Sequence, residues 1–178
     1  ALALREQTLG TEHPNTLTSM TNLCSLLKAK GNFKEAEELY LKAAKLREQK
    51  FGSEHPNTFK AKQNLAVFLR DSSDYPEKAI PLLEEIIIAQ RKKDVSKAIL
   101  SSTLTTLGAA LSKCKMYNRA IESFEESIII RENLFLDGDQ SIKKKLVSSL
   151  KKLAIVYIEI GKKPKAFKVQ DKIANLEK

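Results

Sequence analysis

Apolar residues recur at helical spacing along nearly the whole chain, in blocks separated by turn residues. Over residues 15–30, Leu23, Leu26 and Leu27 follow the three- and four-residue steps of one helix face. His13-Pro14 precedes this block, and proline fits the first helical turn, where no backbone donor is needed. Gly31-Asn32 follows it, as expected where a positive φ closes a helix. A second stripe of Ala36, Leu39, Tyr40, Ala43 and Leu46 predicts another helix over about 33–50. Neither helix can bury its stripe alone, so the pattern requires stacked neighbours.

The neighbours are copies of the same segment. LGTEHPNT at 9–16 returns as FGSEHPNT at 51–58, shifted by 42 residues and identical at six of eight positions. The match extends upstream, where LREQTLG at 4–10 pairs with LREQKFG at 46–52. Downstream, Asn22-Leu23 pairs with Asn64-Leu65 and Leu27 with Leu69. A shift of 84 carries Leu23 to Leu107, Leu27 to Leu111, Ala36 to Ala120, Tyr40 to Phe124 and Arg47 to Arg131. A shift of 130 carries Leu23 to Leu153, Leu27 to Tyr157, Gly31 to Gly161 and Ala36 to Ala166.

The extra four residues of that last shift fit around Asp137-Gly138-Asp139, and a one-residue insertion falls near Pro76. The expected organisation is one array over 1–178. Residues 1–8 form the end of a preceding repeat, followed by repeats at 15–50, 57–93, 96–135 and 140–177. A chain that starts partway through a repeat is expected to come from a longer protein. Pro81 falls near the start of the second helix of its repeat, where it should cause at most a mild kink.

The first and third copies carry a large residue, then Leu with a small residue, then Leu on the first helix, and Ala, an aromatic and a small residue on the second. The first repeat supplies Met20, Leu23, Cys24, Leu27, Ala36, Tyr40 and Ala43. The third supplies Leu104, Leu107, Gly108, Leu111, Ala120, Phe124 and Ser127. This pattern resembles the tetratricopeptide repeat. The longer period, a G-x-x-H-P connection (Gly10 to Pro14, Gly52 to Pro56) and Asn-Leu on the first helix resemble the kinesin-light-chain type. The third and fourth copies lack the His-Pro and the Asn. HEAT repeats share the period but not the Ala-aromatic-Ala pattern.

The resemblance implies an all-α, right-handed superhelical solenoid of antiparallel helix pairs, with each first helix lining a concave face. It implies a protein–protein interaction scaffold or adaptor, linking cargo to a motor if the likeness is close. On the family pattern, the groove positions include Thr21, Asn22, Ser25 and Lys28 in the first repeat and Lys60, Gln63, Asn64 and Arg70 in the second. Thr105 follows in the third and Lys151 in the fourth. Asn22 and Asn64 offer a donor and an acceptor to a peptide backbone. Lys28, Lys60 and Arg70 suit acidic side chains. The expected ligand is therefore an extended, partly acidic peptide or a partner protein. The chaperone-tail carboxylate clamp needs Lys and Asn one turn apart, where this chain has Thr21 and Ser25.

The net charge of +9 also allows acidic surfaces as partners, nucleic acid among them. Lys144 with Lys151, and Lys145 with Lys152, form two adjacent rows on the last first-helix. The simplest reading of this strip is a solvated outer face. It lacks the aromatic groups that stack single-stranded bases. A basic nucleic-acid or anionic-surface module is thus the second functional class, and a structural spacer or oligomerisation module the third. Leu153 to Ile158 is continuously apolar, and Ile155 and Ile158 are expected to face the groove or a further repeat.

No catalytic pattern is present: no G-x-x-x-x-G-K, no G-x-S-x-G and no pocketed carboxylate pair. His13 and His55 are read as parts of the helix-start turns, since a metal needs several converging ligands. Cys24 is read as core, and Cys114 as a turn residue. No enzyme activity, cofactor or metal is expected. No apolar run approaches the roughly 18 residues of a membrane helix, and two cysteines suggest a reducing, cytoplasmic setting.

Overall fold

The computed structural model describes residues 2–11, 13–72 and 75–178. Residue 1 of the opening segment, Glu12 of the first LGTEHPNT and residues 73–74 before the expected insertion lie outside the described residues. Among the described residues there is no strand, and nine α-helices follow one another. They are α1 (Leu2–Leu9), α2 (Pro14–Ala29), α3 (Phe33–Phe51), α4 (Pro56–Ser72), α5 (Ala79–Lys92), α6 (Lys97–Lys113), α7 (Tyr117–Leu136), α8 (Lys143–Glu159) and α9 (Lys163–Glu177). The chain divides into two compact units, residues 1–89 and 90–178. In the first, α2 packs on α3 and α3 on α4; in the second, α6 packs on α7, α7 on α8 and α8 on α9. No described helix is long and apolar enough to cross a membrane.

The H-P-N-T motif makes the turn into α2 and α4. Gly52 ends α3 at φ +89, a conformation in which a Cβ would be strained. His55 Nδ1 accepts the Asn57 N–H at 3.1 Å, and His13 Nδ1 accepts that of Asn15 at 3.2 Å. Each imidazole thus satisfies one of the orphan amides at a helix start, while Pro14 or Pro56 supplies the first helical residue. Thr58 is fully buried and ties back to the preceding helix, donating to Gly52 O at 2.8 Å and Arg47 O at 3.2 Å. Thr16 does the same to Arg5 O. Both histidines therefore act in the connections, and no described His, Cys, Asp or Glu group is arranged to hold a metal. Pro81 is the third residue of α5, within the first turn, so its missing N–H breaks no intrahelical bond.

The turns within repeats close on left-handed residues. Gly31 takes φ +81 between α2 and α3. Lys115 takes φ +59 at the equivalent place between α6 and α7, with Met116 N donating to Leu111 O at 2.9 Å. A side chain in this region costs about 1–2 kcal/mol, partly offset by the greater freedom of glycine when unfolded. Lys115→Gly is therefore expected to raise the unfolding free energy by roughly 0.5–1 kcal/mol, read as a higher urea midpoint; an unchanged or lower midpoint would contradict this.

Packing follows the repeat. The small-residue position holds Cys24, Ala66, Gly108 and Ala154, all buried. At Gly108 the opposing ring of Phe124 comes so close that a Cβ would sit 2.8 Å from it. Tyr40 meets Phe68 with ring centroids 5.1 Å apart. Burial raises the Cys24 thiol to about 11, so it packs as a small apolar residue.

Leu65, Leu107 and Leu153 are buried, whereas Leu23 is half-buried and Leu26 is 51% exposed. The reason lies in α1. Its eight residues span about 12 Å against about 24 Å for α2. Arg5 bonds to Asn15 and Ser19, so α1 covers only the first half of α2. Lys62, just 7% exposed, joins Glu48 of α3 at 2.9 Å and Glu85 of α5 at 2.8 Å.

Tyr157 on α8 donates to Glu125 Oε1 of α7 at 2.8 Å. Burial, the hydrogen bond and the Glu125 charge raise its pKa from the usual 10 to about 12. The folded state therefore holds this proton more tightly than the unfolded one. The associated stability is complete below about pH 10 and is lost as pH rises towards 12. Arg131 titrates with the opposite sign in the same window, but it is common to both chains when wild type is compared with Tyr157→Phe. The stability difference between them should shrink steadily from pH 9 to pH 12; a constant difference would contradict the assignment.

Candidate binding cleft

The first residues of α2 and α4 diverge around the end of α3, leaving a cleft of about 320 Å³ in the N-terminal unit. One wall comes from α2, with Thr18, Thr21 and Asn22. The opposite wall comes from α4, with Asn57, Lys60 and Asn64. Arg47 and Phe51 of α3 form the floor. These walls share a face because helical residues three and four apart project on the same side.

Arg47 is fixed by three neutral acceptors. Its Nη2 donates to Leu17 O at 2.9 Å and Thr21 Oγ1 at 3.2 Å, and its Nη1 to Ala43 O at 3.4 Å. Burial lowers its pKa from the usual value, although an arginine remains charged at neutral pH. Lys60 is exposed and has no carboxylate partner among the described residues. No aspartate or glutamate lines the cleft. Asn22 and Asn64 make no hydrogen bond with other described residues, so each side-chain amide retains its donors and acceptor. Thr18 and Thr21 spend their hydroxyl hydrogens on Pro14 O and Leu17 O, and Thr21 Oγ1 also accepts from Arg47. The cleft is thus a cationic trough with two free amides, suited to an extended backbone carrying acidic side chains.

The ten candidate groove residues do not all converge here. Thr21, Asn22, Lys60 and Asn64 do. Ser25 donates to Thr21 O at 3.2 Å and also contacts the Tyr40 hydroxyl. Gln63 is half-buried on α4, outside the cleft lining. Lys28 and Arg70 both turn to Asp71: Arg70 grips it with two bonds of 2.6 and 2.8 Å, and Lys28 lies 3.8 Å away. Thr105 lies in the other unit, bonded to Ser127 and Ser149. Lys151 pairs with Glu177 at 2.8 Å, beside an apolar hollow formed with Ile155 and Ile158.

The residue that sequence reasoning left out is Arg47. It sits on a second helix of a repeat, whereas the groove was read from first helices alone. Its recurrence at 42-residue spacing as Arg5, and as Arg131 two periods on, was the available signal.

A family model described as tetratricopeptide repeat matches residues 16–57 and 100–139. No curated protein sequence matches the chain. Among solved structures, TPR-like repeats assigned to a kinesin light chain of Podosopora anserina are similar at 22% identity, over 99% of this chain and 82% of that one, with a TM-score of 0.79. BtubC (BKLC) from P. vanneervenii is similar at 23% identity, over 98% and 68%, with a TM-score of 0.81. MamA from Desulfovibrio magneticus RS-1 is similar at 19%, over 98% and 84%, with a TM-score of 0.65. At such identities the likeness shows a common fold of paired helices.

Proposed function

We propose that this chain, matched by the tetratricopeptide-repeat model over residues 16–57 and 100–139, is a protein–protein interaction scaffold that holds an extended, partly acidic peptide in the cleft between α2 and α4. The observation that supports this reading is the cleft's donor set. Two amides without internal partners face a lysine and an arginine, with no acid in the lining. Such a set recognises backbone through Asn22 and Asn64 and acidic side chains through Lys60 and Arg47. Lys28 and Arg70 would need to leave Asp71 to take part.

The nucleic-acid reading is less well supported. Of the lysines in the basic strip, Lys151 is neutralised by Glu177 and Lys152 is bonded to Ser148.

Selection of displayed peptides on the chain tests the proposal. Acidic sequences should be enriched, and Asn22→Ala with Lys60→Ala and Asn64→Ala should weaken their binding at least tenfold. Equal recovery by this triple variant would overturn the cleft assignment. Displacement of the peptides by duplex DNA, with a steep loss of binding in salt, would favour the nucleic-acid reading instead.

A further inference from the structure

The C-terminal unit contains a counterpart of this cleft with different chemistry. A hollow of about 290 Å³ between α6 and α8 is lined by Ser102, Thr105, Arg131, Lys144, Lys145 and Ser148. The repeat shift of 84 carries Thr18, Thr21 and Arg47 onto Ser102, Thr105 and Arg131. The shift of 88 between the second and fourth repeats carries Pro56, Asn57 and Lys60 onto Lys144, Lys145 and Ser148. Asn57 of the first cleft is thus replaced by a second cation, beside a guanidinium that is now buried.

Arg131 is 3% exposed, and every partner it has is neutral. Its Nε donates to Ser101 Oγ at 3.2 Å, its Nη1 to Lys145 O at 2.7 Å and to Ser149 Oγ, and its Nη2 to Ser101 O at 3.3 Å. One Nη2 hydrogen is left over. Among the described residues no carboxylate pairs with it. Burial alone acts on its pKa, lowering it to about 10, with no acidic neighbour to raise it. A buried cation without a counter-ion is costly, and an arriving anion recovers part of that cost. Lys144 and Lys145 stand exposed at the mouth with no ion pair among the described residues. Ser148 Oγ accepts from Lys152 Nζ at 3.0 Å, so its own hydroxyl hydrogen is free to donate.

We propose that this hollow binds a phosphate monoester, with the phosphoryl group held between Arg131, Lys144, Lys145 and Ser148. The donor set distinguishes phosphate from carboxylate. Three uncompensated positive charges call for more than one negative charge, and four separate donor groups suit three terminal oxygens better than two. The phosphoryl group belongs either to a phosphorylated side chain of a bound protein or to a small free phosphate ester. The inference does not rest on the peptide reading of the α2–α4 cleft.

The test titrates the whole chain with phenyl phosphate and with benzoate, following the Arg131 Nε–H and the backbone amides of Lys145 and Ser148 by NMR. Saturable shifts at these three groups are expected with phenyl phosphate, and binding at least tenfold weaker with benzoate. Lys144→Gln with Lys145→Gln should reduce phosphate affinity at least tenfold. Lys162→Gln with Lys168→Gln, the same loss of charge on exposed residues elsewhere, should leave it unchanged. Equal binding of benzoate, equal loss in both double variants or shifts that track ionic strength alone would overturn the proposal. A serine-phosphorylated peptide binding more tightly than phenyl phosphate assigns the ligand to a protein, and equal binding assigns it to a small ester. The Asn22, Lys60 and Asn64 variant should bind phenyl phosphate normally, so failure of one cleft is not failure of the other.

Discussion

Phe124→Ala should lower the unfolding free energy by about 3–5 kcal/mol, among the largest effects of any single change in the C-terminal unit. The ring is 1% exposed and lies against Gly108, where α6 and α7 approach closely enough to exclude even a methyl group. Removing it leaves a void that two rigid helices cannot close. The reciprocal change, Gly108→Ala, forces the ring aside at about 1–3 kcal/mol, against a gain of about 1 kcal/mol from better helix propensity. The two sites touch, so their effects should not add. In the Phe124→Ala background, Gly108→Ala should become neutral or stabilising. Urea unfolding of the four chains measures this, and simple additivity would show that the ring does not abut the glycine.

Arg131→Ala should cost about 3 kcal/mol, on the scale of losing several bonds from a charged donor. The change removes four donated bonds from a buried setting, although Ser101 O keeps Thr105 and Ser127, and Ser149 Oγ keeps Thr105. It also removes an uncompensated charge, which limits the loss. Arg47→Ala should cost less, about 1–2 kcal/mol, because Arg47 is half-buried and makes fewer bonds. Thermal or urea unfolding gives the order. If Arg47 proved more costly than Arg131, the buried Arg131 network would not be the more stabilising of the two.

Much of this fold was legible because helical periodicity and punctuation agree. His-Pro marks the start of α2 and α4, and Gly31 and Gly161 mark turns within repeats. The alignment of Cys24 with Gly108 and of Tyr40 with Phe124 anticipates the close approach of α6 and α7 at Gly108. The 3-10 turn at Pro76–Lys78 was less legible, since an insertion alters a turn without altering the apolar stripe.

The clefts were legible only in part. Thr21 and Asn22 share one wall and Lys60 and Asn64 the other by helical geometry, which sequence captures. The pairing of Lys28 and Arg70 with Asp71 depends on side-chain conformation at the ends of two helices, which spacing does not encode. The basic strip was read as a solvated outer face, yet Lys144 and Lys145 line a hollow whose floor, Arg131, belongs to a different helix.

The α2–α4 cleft is the proposed seat of a bound peptide. Amide chemical-shift mapping of the whole chain with a selected acidic peptide tests it most directly. The largest changes should fall at Thr18, Thr21, Asn22, Lys60 and Asn64, with the Arg47 Nε–H moving alongside them. Changes confined to exposed residues outside the cleft such as Lys34, Glu38 and Leu41, with the cleft residues unmoved, would contradict it.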